Sequence, residues 1–158
     1  MFLRFLLLTI LPLFPMTASA EEMPKEGIDS YTHTLVVTFV SPMKVGDRAL
    51  IISEQNGVSL NDNGRTMFNN MGTRCVSLEE IDGSGRRAQG GCTFTDNDGD
   101  QLMLTLDRRG EAGNATLVSG TGKFAGISGT GEYTHRLIKA DDKFPRVVVS
   151  AKVYWKLK

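Results

Sequence analysis

The stretch GTGKFAGISGTGEY, residues 120–133, places five glycines within twelve residues and leads into a pattern typical of a β-strand. A phosphate-binding loop needs the N-terminus of a helix behind its glycines. Here the first three glycines are spaced one residue too far apart for a dinucleotide fingerprint, and the third is followed by Ile127 rather than by the Lys-Ser/Thr of a P-loop. The stretch therefore predicts a tight corner between two strands, with Phe124 and Ile127 turned inward. The corner glycines are Gly122, Gly126 and Gly129.

The chain after position 20 has a strand pattern from end to end. Hydrophobic alternation is clearest in residues 31–40 and 146–157, and clusters of Asn, Asp and Gly separate the strands. No amphipathic helix of useful length is present in the sequence. The predicted strands are residues 31–40, 49–54, 67–80, 86–95, 101–107, 113–119, 129–138 and 146–157.

Eight short strands with hairpin-sized connections fit either two packed sheets or one closed barrel. The first and last strands are the most apolar, and either one would invite aggregation as an exposed edge. Pairing these two strands with each other removes both edges. The sequence therefore predicts an all-β fold, a closed antiparallel eight-stranded barrel, whose interior holds its own side chains or one small ligand.

Residues 1–20 resemble a signal peptide. Arg4 provides a basic start, residues 5–16 form an apolar run interrupted by prolines, and residues 18–20 read Ala-Ser-Ala, a small-residue cleavage site. The apolar run is short for a bilayer span. We expect cleavage after Ala20, with an uncleaved anchor or a shifted site as alternatives. Residues 21–158 would then form a single domain of a periplasmic or secreted protein.

The charge balance limits the partners. Without residues 1–20 the chain has 17 basic and 18 acidic residues, a net charge of −1. A net charge so close to zero gives no reason to expect nucleic acid as a partner or, after cleavage, an anionic membrane. No cofactor motif and no pattern specifying an oligomeric state is present. Asn114 begins a glycosylation sequon that matters only in a eukaryotic host.

Cys75 and Cys92 are the two cysteines of the chain, and in an exported protein a pair favours a disulfide. A two-residue turn at Gly83-Ser84 would pair Asp82 with Gly85, and counting back along both strands places Cys75 opposite Cys92. In this register the cysteines form a non-hydrogen-bonded pair, where antiparallel strands come closest. We expect a structural disulfide; free or metal-bound thiols are the alternative.

Residues 96–100, Asp-Asn-Asp-Gly-Asp, contain three alternating carboxylates. An EF-hand loop needs Gly at its sixth position and Glu at its twelfth, whereas Gly99 is fourth and Asp107 is twelfth. Asn, Asp and Gly also tolerate the dihedral angles of a hairpin turn. The interpretation is a solvated turn, with a weak calcium site as the alternative, and no metal is predicted.

Two histidines are candidates for an interior site. His33 shares a strand face with apolar residues, and His135 shares one with Tyr133 and Leu137, so both should point inward. A polar group there needs a partner, which Tyr31, Tyr133 or Glu132 could supply. Either the histidines lie at the barrel rim, or they line a ligand cavity that is left underfilled beside the small Ala151. The candidate ligand-binding residues are Tyr31, His33, Phe39, Tyr133, His135 and Trp155.

The glycine-rich stretch resembles the corner of the allene oxide cyclase and dirigent barrels. Residues 91–100, GCTFTDNDGD, also resemble the preceding hairpin in bacterial members of the allene oxide cyclase-like group. The resemblance covers the second half of the chain and implies a calycin-like barrel with an apolar interior. Relatives include cyclases acting on lipid-derived or polyketide substrates and coupling-directing dirigent proteins. No numbered position here matches their catalytic residues, so the resemblance concerns fold.

Two functions follow as expectations. The first is an exported barrel that binds a small apolar ligand in its interior. The alternative is an isomerase or cyclase of allene oxide cyclase type, which needs few catalytic groups because confinement provides much of the rate enhancement. The sequence contains no Gly-x-Ser-x-Gly elbow, zinc spacing or Cys-His pair, which disfavours a hydrolase or metalloenzyme.

Overall fold

Nine β-strands build one antiparallel sheet in the computed structural model, which describes residues 23–40, 42–138 and 145–158. The expected signal peptide lies outside the described residues. The strands are β1 Glu26–Phe39, β2 Met43–Val45, β3 Arg48–Asn61, β4 Met71–Asp82, β5 Gly85–Thr95, β6 Gln101–Arg109, β7 Ala112–Gly120, β8 Ser128–Ile138 and β9 Arg146–Lys156. A short 3-10 helix, Gly122–Phe124, lies between β7 and β8.

The sheet closes on itself. Its order is β1-β9-β8-β7-β6-β5-β4-β3-β2, and an additional pairing of β1 with β3 completes the ring. The first and last strands pair along their length, from Glu26 opposite Lys156 to Val36 opposite Arg146. Strand β2 is attached to the start of β3 outside this ring. The predicted eight-stranded closed barrel is confirmed, with β2 as an addition.

Inward and outward residues alternate along the barrel strands, as the pleat requires. In β9 every second residue, from Val147 to Trp155, is buried, and the residues between them face outward. Strand β3 reverses the usual distribution of polarity. Its inward residues include Ser53, Gln55 and Ser59, while Val58 and other apolar residues of β3 are exposed.

Two predicted strand boundaries, the end of β3 and the start of β4, are wrong. The strand predicted to end at residue 54 continues to Asn61, because its inward residues are polar and hide the alternation. The strand predicted to start at residue 67 starts at Met71. Met67 and Phe68 belong to the preceding connection and are fully buried. Phe68 has a φ of 60°, a left-handed conformation that is strained for an aromatic residue.

One end of the barrel, which we call the closed end, is filled by two connections, residues 62–70 and 121–127. Phe68 stacks on Tyr31, with ring centroids 4.2 Å apart, and meets Phe94 edge-on at 5.3 Å. Phe124 and Ile127 of the glycine-rich corner are also buried there. The opposite end carries the short turns after β4 and β6, and we call it the histidine end.

The glycine corner has the backbone geometry that glycine accommodates. Gly122 and Gly126 have φ values of 50° and 78°, in the left-handed region. Gly129 has no such φ, but a Cβ atom there would overlap the carbonyl oxygen of Tyr154 on the neighbouring strand β9. The corner therefore turns the chain sharply and holds β8 close against β9.

Candidate functional site

A small cavity lies inside the barrel toward the histidine end. Its volume is about 30 Å³, close to the share of one water molecule in the liquid and far below the 300–1,000 Å³ typical of ligand pockets. We call it the histidine cavity. Its polar and aromatic lining residues are Tyr31, His33, Gln55, Ser77, Gln89, Arg108, Tyr133 and His135. Its apolar lining residues include Leu35, Ala88, Leu104, Leu106 and Val149, together with both cysteines.

Strand register brings the two histidines together from opposite halves of the chain. His33 on β1 and His135 on β8 are both cross-strand partners of Val149 on β9, which lies between them. The next layer is built in the same way, with Tyr31 and Tyr133 on either side of Ala151. The two tyrosine rings flank the small alanine. Tyr31, Ala151 and Tyr133 are all buried, and the two tyrosines, but not Ala151, are among the residues that line the histidine cavity.

Neither histidine has the hydrogen-bond partner that the sequence suggested. Nδ1 of His33 and Nε2 of His135 are buried and accept or donate no hydrogen bond within the described residues. The ring of Tyr31 meets that of His33 edge-on, at 5.5 Å between centroids, and Glu132 faces outward. Among the described residues, these two ring nitrogens therefore remain open to a hydrogen bond with a molecule in the cavity.

Burial keeps both imidazoles neutral. Burial, with a smaller contribution from the nearby His135, lowers the pKa of His33 to about 3. The pKa of His135 falls to about 4, first because of burial and then because of the positive charge of Arg108. A neutral imidazole has one donor and one acceptor nitrogen, so each ring can exchange a proton or bind either kind of polar group.

The two tyrosines keep their protons over the whole ordinary pH range. Burial raises the pKa of Tyr133 to about 12, and it raises the pKa of Tyr31 strongly as well. Their phenol groups therefore act as neutral hydrogen-bonding groups and not as anions.

A polar network that sequence reasoning missed covers another wall of the interior. Nε2 of Gln55 donates to Oγ of Ser53 at 3.2 Å, and the hydroxyls of Ser53 and Ser77 share a hydrogen bond of 2.9 Å. Ser53 lies 3.5 Å from Oε1 of Glu79. All four side chains are buried. The expected apolar interior is therefore wrong for the histidine end of the barrel.

Glu79 connects this network to two arginines. Its Oε2 accepts a hydrogen bond from Nη2 of Arg108 at 3.4 Å and forms an ion pair with Nε of Arg86 at 3.1 Å. Arg108 also donates through Nη1 to the carbonyl oxygen of Gly110 in the turn after β6. The side chains of Glu79 and Arg108 are 3% and 5% exposed. A single buried carboxylate thus faces two guanidinium groups.

Four of the six candidate ligand-binding residues line the histidine cavity, and two do not. Phe39 is 43% exposed. The pairing of β1 with β9 ends at Val36, and among the described residues β3 alone pairs with β1 at Phe39. Its predicted interior position is wrong.

Trp155 is buried but lies at the closed end. Its Nε1 donates to Oδ2 of Asp29 at 2.7 Å, and Nδ2 of Asn61 donates to Oδ1 of the same carboxylate at 2.9 Å. Trp155 lines a separate groove with Met67 and residues near the start of β1. It therefore belongs to the packing of the closed end, and its placement in one site with His33 is wrong.

The disulfide between Cys75 and Cys92 is confirmed. The cysteines face each other on β4 and β5 with Cα atoms 4.0 Å apart, and Asp82 pairs with Gly85 across the two-residue turn as expected. Both sulfurs belong to the wall of the histidine cavity. The bridge therefore fixes the spacing of the two strands that carry Ser77, Glu79 and Ala88.

The carboxylates of residues 96–100 hold a lysine. Nζ of Lys123 lies 2.7 Å from Oδ2 of Asp96 and 2.6 Å from Oδ2 of Asp98, while the backbone N–H of Lys123 donates to Asp100 at 3.0 Å. Hydrogen bonds to these aspartates raise the pKa of Lys123. Within the described residues no group of three His, Cys, Asp or Glu side chains is placed to hold a metal ion. The turn after β5 is thus tied to the glycine corner.

Comparison with known proteins identifies the fold alone. No family model and no curated protein matches the chain. Among solved structures the chain is similar to the pterocarpan synthase dirigent protein GePTS1, with a TM-score of 0.50 and 11% sequence identity over 94% of this chain and 98% of that one. The barrel is therefore dirigent-like in fold. In the part of the chain that the structure describes, no helix has the length and apolar character to cross a bilayer.

Proposed function

We propose that this protein is an exported barrel that binds a small, largely apolar molecule through the histidine cavity. The observation that carries the proposal is a pair of buried nitrogens, Nδ1 of His33 and Nε2 of His135, which have no hydrogen-bond partner among the described residues and belong to two residues that line one cavity. A buried polar atom without a partner costs about 1–3 kcal/mol, so a molecule that supplies a hydrogen bond there binds favourably.

The cavity is large enough for only one part of the proposed ligand, its polar group. A space of about 30 Å³ accepts one polar group or a water molecule. The apolar body of the ligand then extends toward the histidine end, past Leu35, Ala88 and Leu106, and side chains there must move to admit it. We therefore expect slow binding of the ligand compared with a preformed pocket.

The disulfide supports the proposed export. Disulfides persist in the periplasm and outside the cell and are rare in a reducing cytosol. Together with the signal-like pattern of residues 1–20, this favours a periplasmic or secreted location. Intact-mass measurement of the protein from periplasmic and culture fractions tests the proposal. A mature chain starting at Glu21 with its two cysteines oxidised supports export; full-length, reduced protein retained in the cytosol contradicts it.

The test of ligand binding uses the protein isolated from its own host. Mass spectrometry of an organic extract should reveal one compound that co-purifies with the wild type and is reduced in His33→Phe, which fills the cavity and removes the polar group. Thr34→Val is the matched control, because Thr34 is the next residue of β1 and faces outward. Equal amounts of the compound in all three proteins would show that it binds elsewhere.

One observation favours the isomerase or cyclase alternative. The unpartnered nitrogens of His33 and His135 belong to neutral imidazoles, which can give or take a proton in an enclosed space. An allene oxide generated in solution should then yield a cyclic product with an enantiomeric excess that His33→Phe removes. A racemic product in the presence of the wild-type protein would exclude this alternative.

A further inference from the structure

We propose that the ligand of the histidine cavity carries a carboxylate, which Arg108 binds together with His33 and His135. The inference rests on the proposed function and adds the chemical class of the ligand. It follows from the charge balance of the cavity wall, from the hydrogen-bond donors that remain available there, and from the size of the space.

The charge balance is positive. Arg86 and Arg108 both bind the same oxygen of Glu79, so one negative charge faces two positive charges. Arg108 is the charged residue among those that line the cavity, and its side chain is 5% exposed, which leaves little water to screen it. Arg108 shares the carboxylate of Glu79 with Arg86, so its charge is only partly compensated, and in a medium of low dielectric constant such a charge attracts an opposite charge far more strongly than in water.

The donors that remain available suit an anion. A guanidinium group has five N–H donors. Arg108 uses one on Nη1 for the carbonyl oxygen of Gly110 and one on Nη2 for Glu79, so within the described residues its other N–H groups remain for a ligand. His33 and His135 each add a ring nitrogen that can carry a proton in the appropriate tautomer. Hydrogen bonds from such groups to a carboxylate are shorter and stronger than those to a neutral oxygen.

The small volume favours a carboxylate over larger anions. A carboxylate, with three heavy atoms in a plane, is smaller than a tetrahedral phosphate and therefore suits this small cavity of about 30 Å³ better. The wall beside Arg108 is apolar at Ala88 and Leu106, so the remainder of the ligand is apolar. The predicted class is a small organic acid with one carboxylate and an alkyl or aryl body.

The experiment compares 4-phenylbutanoate with 4-phenylbutan-1-ol, which share a body and differ in the charged group. Isothermal titration of the full mature protein should show the acid binding about ten- to a hundredfold more tightly than the alcohol, the difference expected for hydrogen bonds to a charged group. Arg108→Gln should remove that preference. Arg74→Gln, a change of an exposed arginine paired with Glu54 on the outer face, should leave it unchanged.

Two further variants keep the test informative if Arg108→Gln does not fold. His135→Phe removes one donor without touching Glu79 and should lower the affinity for the acid more than that for the alcohol. Glu79→Gln removes the compensating carboxylate, and it should therefore strengthen acid binding. Unchanged acid affinity in both variants would overturn the proposed carboxylate site.

The outcomes separate this inference from the proposed function. If the acid and the alcohol bind with equal affinity and each displaces the other, the carboxylate inference is wrong and ligand binding in the barrel stands. If neither compound binds, and nothing co-purifies from the native host, the proposed function itself is wrong. If the acid is preferred in the wild type and in every variant, the preference arises outside the cavity and the inference is overturned.

Discussion

Replacing Asp29 by Ala should destabilise the barrel more than any single exposed substitution. Its carboxylate is 1% exposed at the closed end and accepts hydrogen bonds from Nε1 of Trp155 and Nδ2 of Asn61. Arg65 approaches it at 3.8 Å but is 62% exposed, so water can replace that interaction and it contributes little. The two hydrogen bonds therefore determine the expected effect.

The magnitude follows from what each donor loses. Nε1 of Trp155 is left buried without its acceptor, whereas Nδ2 of Asn61 keeps a second acceptor, the carbonyl oxygen of Met67, at 2.8 Å. An unpaired buried donor costs about 1–3 kcal/mol, and a hydrogen bond to a charged group contributes about 1.5–3 kcal/mol. We expect Asp29→Ala to lower the free energy of unfolding by about 3 kcal/mol in total, a large fraction of the stability of a small domain.

Urea unfolding followed by far-UV circular dichroism measures this change. Trp155→Phe removes the donor and leaves the carboxylate buried, so it should cost about 2 kcal/mol by the same argument. The double variant Asp29→Ala/Trp155→Phe should cost less than the sum of the two single changes, because both polar partners are gone. Asp62→Ala, at an exposed aspartate of the same end, is the control and should stay within about 0.5 kcal/mol. An Asp29→Ala protein within about 1 kcal/mol of the wild type would refute the reasoning.

Three further predictions concern the rest of the barrel. Replacing Cys75 and Cys92 by Ala should cost about 3 kcal/mol in urea unfolding, since their sequence separation is 17; an unchanged melting temperature with and without reductant would contradict this. Gly129→Ala should lower the melting temperature because its Cβ overlaps backbone, while Gly72→Ala, whose Cβ would lie 3.8 Å from the nearest atom, should not. Equal effects would contradict the corner geometry. Because burial holds the pKa of His33 near 3, the unfolded chain binds more protons between about pH 4 and 6.5, and stability should fall as pH is lowered through this window. His33→Gln should flatten that slope by up to about 1.4 kcal/mol per pH unit, measured by urea unfolding at several pH values.

The hairpin of β4 and β5 shows what the sequence determines by itself. Its two-residue turn sets the register, and the side-chain period of two carries that register along both strands. The pairing of Cys75 with Cys92 could therefore be counted from the turn. The same count places Ser77 and Glu79 on the same face as Cys75, because they follow it at intervals of two. The register does not say which face is inward, since the apolar Val76 and Leu78 lie on the other face and are exposed.

Strand β3 shows why the remainder could not be predicted. Hydrophobic alternation identifies an inner face only where that face is apolar. In β3 the inner residues Gln55 and Ser59 are polar, while Val58 and Leu60 on the outer face are exposed. Arg108 is hidden in the same way, since its charge gives no sign that it continues the inward row of Leu102, Leu104 and Leu106. The inward positions of Gln55, Ser59 and Arg108 therefore follow from the closed barrel and not from the sequence pattern.

The polar residues at the two ends of the barrel have different consequences for stability. At the closed end both carboxylate oxygens of Asp29 accept a hydrogen bond, and the buried carboxylate joins β1 to β9 and to Asn61 at the end of β3. At the histidine end His33 and His135 leave ring nitrogens unpaired, which costs free energy that the disulfide and the packed end offset. A ligand that pairs those nitrogens recovers that cost on binding. The hydrogen bonds formed to these nitrogens therefore contribute to the binding free energy, and the melting temperature should rise with ligand concentration.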